Sequence, residues 1–555
     1  MKNSDRSVKD AEVVRITIDG KKVLLALAIV VVILGGVAIR AHTLADSQYP
    51  YILDGLLEAR YAEHIAGTGY LTPEHGASYE GSHTTSTPAY DVFVAQSALF
   101  TGEDPLFLIG GMAAPLSMLT LLGVYVLARR LTDNLRVATV ALMGTAAYGP
   151  FVIVTQASWK ECFGMSLLPF LMISFLMRKD PRMRVISTLL LLMMPFVHHL
   201  IALIAILTIA IFSFARLLLA KRAGGVGSTE IMDVFVSVVS LNFMALYYGY
   251  MQFDRLEYLT PDNGLYLFIG LAIMITIGVY YIAERGISAL GRSAMLVTIT
   301  AGLLFLLGMN FLSPIGTVGE NALWAVSIPM IAGIILTVVG ICGISILAST
   351  IGESKAFYFS LISAPFAIII YGLLRAEDLL SLDIITRTID LLDIGVMIGL
   401  GTFVAYALKK RGGAHSLLLT SAICVLILLT LPFAIDSERY AGTRNNIYAY
   451  EVDAINWTIG NSMGEEIDSD SHFSQVGNFF DGDIDQTLVK RFIGSLSFHS
   501  GVMMVGSERW TSIGVKDMPY GWIKVDPQSF ESELERSNVL YIGGPSGSQI
   551  VVFTS

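Results

Sequence analysis

Long apolar runs recur along most of the chain and end at residue 435. Thirteen of them are long enough to cross a bilayer as helices. They cover residues 23–42, 105–127, 135–154, 161–177, 184–198, 199–220, 230–251, 265–283, 292–312, 322–347, 356–374, 389–408 and 416–435. The shorter apolar stretch Pro88–Thr101 is not counted, because a span there would put two basic clusters on the outer side. The pattern predicts a polytopic α-helical membrane protein with about thirteen transmembrane helices.

A different pattern follows the last span. Residues 436–555 contain no run long enough to cross a membrane. Short periodic segments predict a helix at Ile447–Ile459 and strands at Val539–Ile542 and Ile550–Phe553. This stretch also carries 17 Asp and Glu against 8 Lys and Arg. We expect a soluble acidic α/β domain.

The distribution of basic residues predicts the orientation. With thirteen spans and residues 1–22 in the cytoplasm, 22 Lys and Arg fall in cytoplasmic segments. The external loops hold six, which are Arg40, Arg60, Lys160, Arg255, Arg375 and Arg387. The domains are then a cytoplasmic segment 1–22, a transmembrane domain 23–435 and an extracytoplasmic domain 436–555 on a multi-pass protein of the cell membrane.

Composition supports this class. Hydrophobic residues make up 54% of the chain and charged residues 15%, too little charge for a soluble surface. The three cysteines lie in or beside apolar runs, which argues against a disulfide framework. A net charge of -10 argues against nucleic acid as a partner, and membrane lipid is the expected surrounding.

The first external loop, residues 43–104, is the longest segment between the predicted spans and is therefore a candidate location for an active site. Tyr51–Ala66 predicts an amphipathic helix on the membrane surface, with Glu58 among the residues that face water. Asp54 lies in its first turn. Either Asp54 carries chemistry at the membrane surface, or it is a carboxylate favoured by the helix dipole.

A second surface helix at Pro88–Phe100 and the turn Thr101–Pro105 complete this loop. A span, an Asp-led loop helix, a second helix and this turn together resemble the GT-C glycosyltransferases. Within them, thirteen spans and an external C-terminal domain resemble the catalytic subunit of archaeal and bacterial oligosaccharyltransferases. The resemblance implies transfer of a sugar or oligosaccharide from a polyprenyl (dolichyl) phosphate or pyrophosphate carrier to an acceptor, with protein as the leading acceptor and an archaeal cell surface as the favoured setting.

A short motif in the fifth external loop adds to the resemblance. Thr317–Glu320 (TVGE) is similar to the Thr-Ile-x-Glu motif that oligosaccharyltransferases carry in that loop. The resemblance implies that Asp54 and Glu320 are the catalytic pair. The alternative is a solvated turn in which Glu320 caps a helix.

The second external loop departs from the family. An Asp-x-Asp-like motif is absent from Thr155–Glu161. Glu161 could substitute, and with Asp54 and Glu320 it would form an all-oxygen site suited to Mg²⁺ or Mn²⁺. Alternatively, Lys160 supplies the positive charge in place of a metal.

Cations are scarce on the outer side, which makes each one a candidate for the carrier phosphate. Arg387 stands at the outer start of a late span, where the family binds this phosphate, and a guanidinium suits phosphate oxygens. Arg375, Lys160 and His199 are further candidates. The alternatives are an arginine that reaches to lipid headgroups and an interfacial His198–His199 pair.

The C-terminal domain also departs from the family. The Trp-Trp-Asp-Tyr-Gly motif that reads the acceptor is absent, and Asp468–Asp470 suggests either a solvated acidic loop or a Ca²⁺ site. One alternative function is therefore a monosaccharide transferase acting on a glycan or lipid. A transporter is less favoured, because the predicted spans carry almost no ionisable groups.

Overall fold

The computed structural model describes most of the chain. The described residues are 20–51, 53–71, 86–251, 264–286, 293, 322–350, 354–374, 379–410, 413–436, 446–480, 482–489, 502–512, 514–517, 521–523 and 525–554. Helices dominate as far as residue 435, and a mixed sheet with flanking helices follows.

The helices of the first part are numbered in chain order. They are α1 (Gly20–Ala41), α2 (Thr43–Asp46), α3 (Asp54–Thr68), α4 (Ala89–Thr101), α5 (Pro105–Thr132), α6 (Leu135–Ala147), α7 (Gly149–Gln156), α8 (Lys160–Leu176), α9 (Pro181–Val197), α10 (His199–Arg222), α11 (Ser228–Tyr250), α12 (Gly264–Arg285), α13 (Ala322–Thr350), α14 (Ser354–Leu374), α15 (Leu379–Lys410), α16 (Ala414–Thr430) and α17 (Pro432–Ile435).

Eight segments in the described part of the chain are long and apolar enough to cross a membrane. They are Val23–Ala41, Pro105–Thr132, His199–Arg222, Ser228–Tyr250, Gly264–Arg285, Ser354–Leu374, Arg387–Lys410 and Leu417–Ile435. A ninth results if α6 and α7, bent by 66° at Tyr148, form one span. The prediction of a multi-pass helical membrane protein is confirmed.

The count of thirteen stays a prediction. The expected span at 292–312 lies outside the described residues except for residue 293. The expected spans at 161–177 and 184–198 correspond to α8 and α9, which have 17 residues each. The segment excluded from the count, Pro88–Thr101, forms the 13-residue helix α4, which packs against α3.

The break between α6 and α7 is stabilised by a buried arginine. Arg40 on α1 donates to the carbonyl oxygens of Ala146 at 3.0 Å and Thr145 at 2.8 Å, and to the hydroxyl of Thr155 at 2.7 Å. Carbonyls at a helix end lack partners within the helix, and apolar surroundings make that costly. Arg40, predicted as a loop cation, therefore supports the broken helix.

Close helix packing places α15 in the middle of the described helices. It packs against α6, α13 and α14. The contact with α13 is backbone to backbone, since a Cβ on Gly343 would overlap the carbonyl oxygen of Gly399. Only small residues allow such an approach between membrane helices. The position of α15 matters because it carries Arg387.

The C-terminal part is an α/β unit. Its elements are α18 (Ala449–Asn461), β1 (Ile467–Asp468), α19 (Ser471–Phe479), β2 (Ile484–Asp485), β3 (Met503–Ser507), α20 (Arg509–Ser512), β4 (Val515–Asp517), β5 (Gly521–Ile523), α21 (Pro527–Arg536), β6 (Asn538–Gly543) and β7 (Ile550–Thr554). The main sheet has the order β2-β1-β3-β7-β6, with β7 antiparallel to both neighbours. The predicted helix and both predicted strands are confirmed as α18, β6 and β7.

The acidic run Asp468–Asp470 is not a solvated loop. Asp468 and Asp470 are buried. Asp468 accepts hydrogen bonds from the backbone N–H groups of Thr487 and Leu488, both at 2.9 Å. Asp470 caps α19 and accepts from the indole N–H of Trp510 at 2.6 Å. These carboxylates stabilise the domain, which corrects the solvated-loop interpretation.

The C-terminal part contacts the first loop directly. The Arg60 guanidinium on α3 donates to the carbonyl oxygens of Asn478 at 2.7 Å and Phe479 at 3.0 Å, at the end of α19. Apolar residues of α3 and α4 share a buried cluster with Ile447 and Val452. The α/β unit therefore lies on the same side of the molecule as α3 and α4.

Candidate functional site

Helix α3 carries two carboxylates on one face. Asp54 is its first residue and is partly buried, and Glu58 follows one turn later. The helix ends where Gly69 takes a left-handed conformation, at φ 76°, which glycine adopts readily. The prediction that Glu58 faces water is wrong, since its exposed fraction is 5%. It is buried because α3 packs against α4 and α5, and Glu58 meets the start of α8 there.

Helix α4 brings a further carboxylate to the same place. Asp91 lies on its buried face and is fully shielded from solvent. Tyr90 and Phe93 of α4 pack against Phe163 of α8, with ring centroids 5.5 Å and 5.4 Å apart. This aromatic contact fixes α4 against α8 and directs Asp91 towards the first residue of that helix.

Lys160, the first residue of α8, joins these carboxylates. Its ammonium nitrogen lies 2.7 Å from Oδ2 of Asp91. Its backbone N–H donates to Oε1 of Glu58 at 3.2 Å. One residue thus contacts both carboxylates, the first through its side chain and the second through its main chain.

The electrostatics of this cluster follow from its burial. Burial raises the pKa of Asp91 to about 6, and the Lys160 ammonium opposes that rise. Burial likewise raises the pKa of Glu58 well above its ordinary value, against the attraction of Lys160 and with the repulsion of Asp91 and Asp54. Asp54 is therefore close enough to interact electrostatically with Glu58.

The second residue of α8 points to a different neighbour. Oε2 of Glu161 lies 3.7 Å from the Arg387 guanidinium, a looser ion pair than that of Lys160. The guanidinium carbon of Arg387 also lies 5.1 Å from the ring centroid of Trp159. The Arg387 side chain is 25% exposed, whereas Glu161 is buried. Neighbouring side chains thus position the Arg387 guanidinium, and part of it stays exposed at the start of a membrane-spanning segment. Such a cation is suited to bind an anionic ligand.

Two carboxylates of α15 continue from Arg387 into the membrane segment. Asp390 interacts electrostatically with Arg387, Glu161 and Asp393. Asp393 is 5% exposed, and its Oδ2 has no hydrogen-bond partner among the described residues. The expectation of almost no ionisable groups in the spans is therefore wrong for α15, where two carboxylates extend the cluster inward.

The structure brings some predicted site residues together and leaves others undecided. Asp54, Lys160, Glu161 and Arg387 all belong to the region where α3, α4, α8 and α15 meet. The Lys160 ammonium is already paired with Asp91, and its role at a carrier phosphate stays a prediction. His199 begins α10 and stacks on His198 at 4.6 Å, which leaves its phosphate role a prediction.

The structure does not describe two of the predicted site residues, and three residues near the site were not predicted to belong to it. Glu320 and Arg375 lie outside the described residues, and their roles stay predictions. Analysis of the sequence overlooked Glu58, Asp91 and Asp390. For Glu58 the available signal was its spacing of one helical turn from Asp54. For Asp91 it was a lone charge within an apolar helix, and for Asp390 it was a carboxylate three residues after Arg387, inside an apolar run.

A metal site does not emerge from the described residues. No group of three or more His, Cys, Asp or Glu there is arranged to hold a metal ion. The predicted ligand Glu161 faces the Arg387 guanidinium instead. Glu320 lies outside the described residues, so the Mg²⁺ or Mn²⁺ site at Asp54, Glu161 and Glu320 stays a prediction.

Comparison with known proteins supports the fold and stops short of a family assignment by sequence. No protein-family model and no curated protein matches the chain. Among solved structures, the archaeal oligosaccharyltransferase AglB from Archaeoglobus fulgidus, in complex with an inhibitory peptide and a dolichol-phosphate, is similar with a TM-score of 0.54 and 10% identity. The match covers 96% of this chain and 74% of that one.

A second structure of an Archaeoglobus fulgidus oligosaccharyltransferase, in complex with Zn and sulfate, has a TM-score of 0.53 and 14% identity. It covers 95% of this chain and 73% of the other. At such identities the likeness concerns the fold. The resemblance inferred from the loop motifs is thus confirmed at that level: the chain shares the membrane fold of these archaeal oligosaccharyltransferase structures.

Proposed function

We propose that this protein is a membrane glycosyltransferase that uses a polyprenyl-phosphate-linked donor. Its substrate would be a sugar or oligosaccharide on a polyprenyl (dolichyl) phosphate or pyrophosphate, and its acceptor a protein on the outer face. The observation that carries the proposal is the accessible Arg387 guanidinium at the start of a membrane segment, beside the acidic cluster of α3 and α4. A lipid carrier would reach this position from the bilayer.

Arg387 would bind the phosphate of the carrier. A guanidinium donates parallel hydrogen bonds to two phosphate oxygens and keeps its charge near lipid. The Trp159 ring and the Glu161 carboxylate both lie close to the guanidinium, at 5.1 Å and 3.7 Å. When the bond between the sugar anomeric carbon and the phosphate oxygen breaks, the leaving phosphate gains negative charge. Arg387 would stabilise that charge in the transition state.

Asp54 would serve the acceptor. It is partly buried at the start of α3, which places its carboxylate at the edge of the cluster. As a general base it would take the proton of the acceptor nucleophile while that nucleophile bonds to the anomeric carbon. The products are the glycosylated acceptor, the free lipid phosphate and a protonated Asp54, which returns its proton to water.

The similar archaeal structure supports the substrate classes. That protein was solved with a dolichol-phosphate and an inhibitory peptide. The contact between the C-terminal part and α3 supports an extracytoplasmic position for residues 436–555, if the first loop is external. Glu320 and Arg375 lie outside the described residues, and their roles in the site stay predictions from the sequence.

Purified protein in lipid nanodiscs tests the proposal. Lipid-linked glycans extracted from membranes would be supplied with acceptor peptides that contain asparagine or serine, and with free glycan acceptors. Mass spectrometry should detect a glycosylated peptide and the released lipid phosphate. Transfer to glycans alone would favour the monosaccharide-transferase alternative. Failure to transfer to any acceptor, with donor bound to the protein, would contradict the proposal.

A further inference from the structure

Two buried carboxylates of the first loop, Glu58 and Asp91, interact with Lys160, and Asp54 interacts electrostatically with Glu58. We call Asp54, Glu58 and Asp91 the loop acidic cluster. Glu58 and Asp91 are buried, and the Lys160 side chain, 8% exposed, shares their environment. Buried carboxylates are stable only when a cation or several hydrogen bonds compensate their charge. In most oxygen-rich clusters that cation is a divalent metal or a basic side chain.

The geometry identifies the compensating group as Lys160. Its ammonium lies 2.7 Å from Oδ2 of Asp91, the distance of a close ion pair. Its backbone N–H reaches Glu58, which therefore stands at the positive end of α8. Among the described residues, no three acidic or other ligating side chains are arranged around a metal position. The space beside Asp91 is taken by the ammonium.

We propose that Lys160 is a built-in cation that replaces a divalent metal in the loop acidic cluster. It compensates Asp91 and Glu58, and it fixes α3 and α4 against α8. By fixing α3 against α8, Lys160 also positions Asp54, the first residue of α3. Only this positioning role rests on the proposed function. The cation role depends on the ion pair and the backbone contact alone.

Manganese binding followed by electron paramagnetic resonance tests the cation role without any sugar substrate. Wild type and Lys160→Arg should not bind Mn²⁺ through Asp54. Their Mn²⁺ binding should therefore equal that of the Asp54→Asn variant. Lys160→Met removes the ammonium and keeps the side-chain length. This variant should bind Mn²⁺, and Mn²⁺ should raise its unfolding temperature. Wild-type binding of Mn²⁺ that is lost in Asp54→Asn would overturn the inference.

Thermal unfolding supplies an independent readout. Lys160→Met should unfold at a lower temperature than wild type, because it leaves Asp91 as an uncompensated buried carboxylate. Adding Asp91→Asn should restore part of the loss, and Lys221→Met at the exposed end of α10 serves as the control. If Lys160→Met does not fold, folded Lys160→Met/Asp91→Asn supports the inference. A Lys160→Met variant as stable as wild type, or no restoration by Asp91→Asn, would contradict it.

A chelator separates this inference from the proposed function. If the protein transfers sugar, wild-type transfer should continue after EDTA treatment. Transfer that stops with EDTA and returns with Mn²⁺ would overturn the built-in cation and leave the glycosyltransferase intact. Absence of transfer under all conditions would contradict the proposed function, while the manganese and unfolding results would still decide the role of Lys160.

Discussion

The ammonium nitrogen of Lys160 lies 2.7 Å from Oδ2 of Asp91, and this ion pair is buried. The next residue, Glu161, faces Arg387 at 3.7 Å. The first turn of α8 thus contacts the loop helices with one side chain and the membrane helix α15 with the next. This arrangement connects the candidate acceptor side at Asp54 with the candidate donor side at Arg387.

Replacement of Arg387 by alanine should weaken binding of the lipid-phosphate donor. The lost charge-assisted contact corresponds to about 2–4 kcal/mol, or about 30-fold or more in the dissociation constant. Donor binding to protein in nanodiscs can be measured by calorimetry. Arg129→Ala is the control, since that arginine is 41% exposed at the other end of a span. Equal affinities of Arg387→Ala and wild type would remove Arg387 from the donor site.

Arg40→Met should destabilise the helical part by about 2–4 kcal/mol. The substitution leaves the carbonyl oxygens of Thr145 and Ala146 without the donors that α1 supplies at the end of α6. The thermal unfolding temperature in detergent should fall, while exposed Arg130→Met should change it little. Unchanged stability of Arg40→Met would mean that other groups satisfy those carbonyls.

Much of the helical architecture was predictable because apolar runs of span length have few alternative structures. The positions of α5, α10 and α14 followed from such runs. The Asp-led helix α3 was predictable from its periodicity, and Arg387 from the scarcity of external cations. Strands β6 and β7 followed from short β-branched segments bounded by turns.

The inner side of the site was not predictable in the same way. The sequence predicts an exposed Glu58, because an amphipathic helical pattern assigns its charged positions to the solvent-facing side. The position of Asp91 depends on the packing of α4 against α8, which joins segments far apart in the chain. A single sequence carries no signal for such an ion pair. It therefore indicated Lys160 only as a candidate cation.

The pH dependence of stability should report Asp91. Its pKa is about 6 in the folded protein against an ordinary value of 3.8. Between these values the folded state binds more protons than the unfolded state. The contribution of this carboxyl to stability therefore grows as pH falls from 7 to 5 and is lost as pH rises through 6. The full pKa difference between the folded and unfolded states, from 3.8 to about 6, corresponds to about 3 kcal/mol in the free energy of unfolding, and pH 5 to 7 covers only part of it.

Unfolding temperatures of wild type and Asp91→Asn at pH 5 and pH 7 test this effect. Relative to Asp91→Asn, wild type should be more stable at pH 5 than at pH 7. Asp133→Asn, with an exposed carboxylate, should follow the wild-type profile. Parallel profiles for wild type and Asp91→Asn would show that Asp91 does not titrate in this range.

The C-terminal part and the first loop should lie on the same, outer side of the membrane. Arg60 of α3 donates to the carbonyl oxygens of Asn478 and Phe479, so the two cannot be on opposite sides. Reporters inserted near Ser82 and fused after Ser555 should both be accessible from outside the cell. A reporter detected in the cytoplasm at either position would contradict this topology.

Sugar transfer by Asp54→Asn tests the central claim most directly. The substitution keeps the shape of the side chain and the start of α3, and it removes the negative charge. Purified wild type, Asp54→Asn and the control Glu63→Gln, an exposed residue of the same helix, would receive the same lipid-linked donor and acceptor peptide. We predict a loss of about 10²–10⁴-fold in transfer rate for Asp54→Asn, with unchanged donor binding and near wild-type transfer by Glu63→Gln. Transfer by Asp54→Asn at the wild-type rate would contradict the assignment of this site.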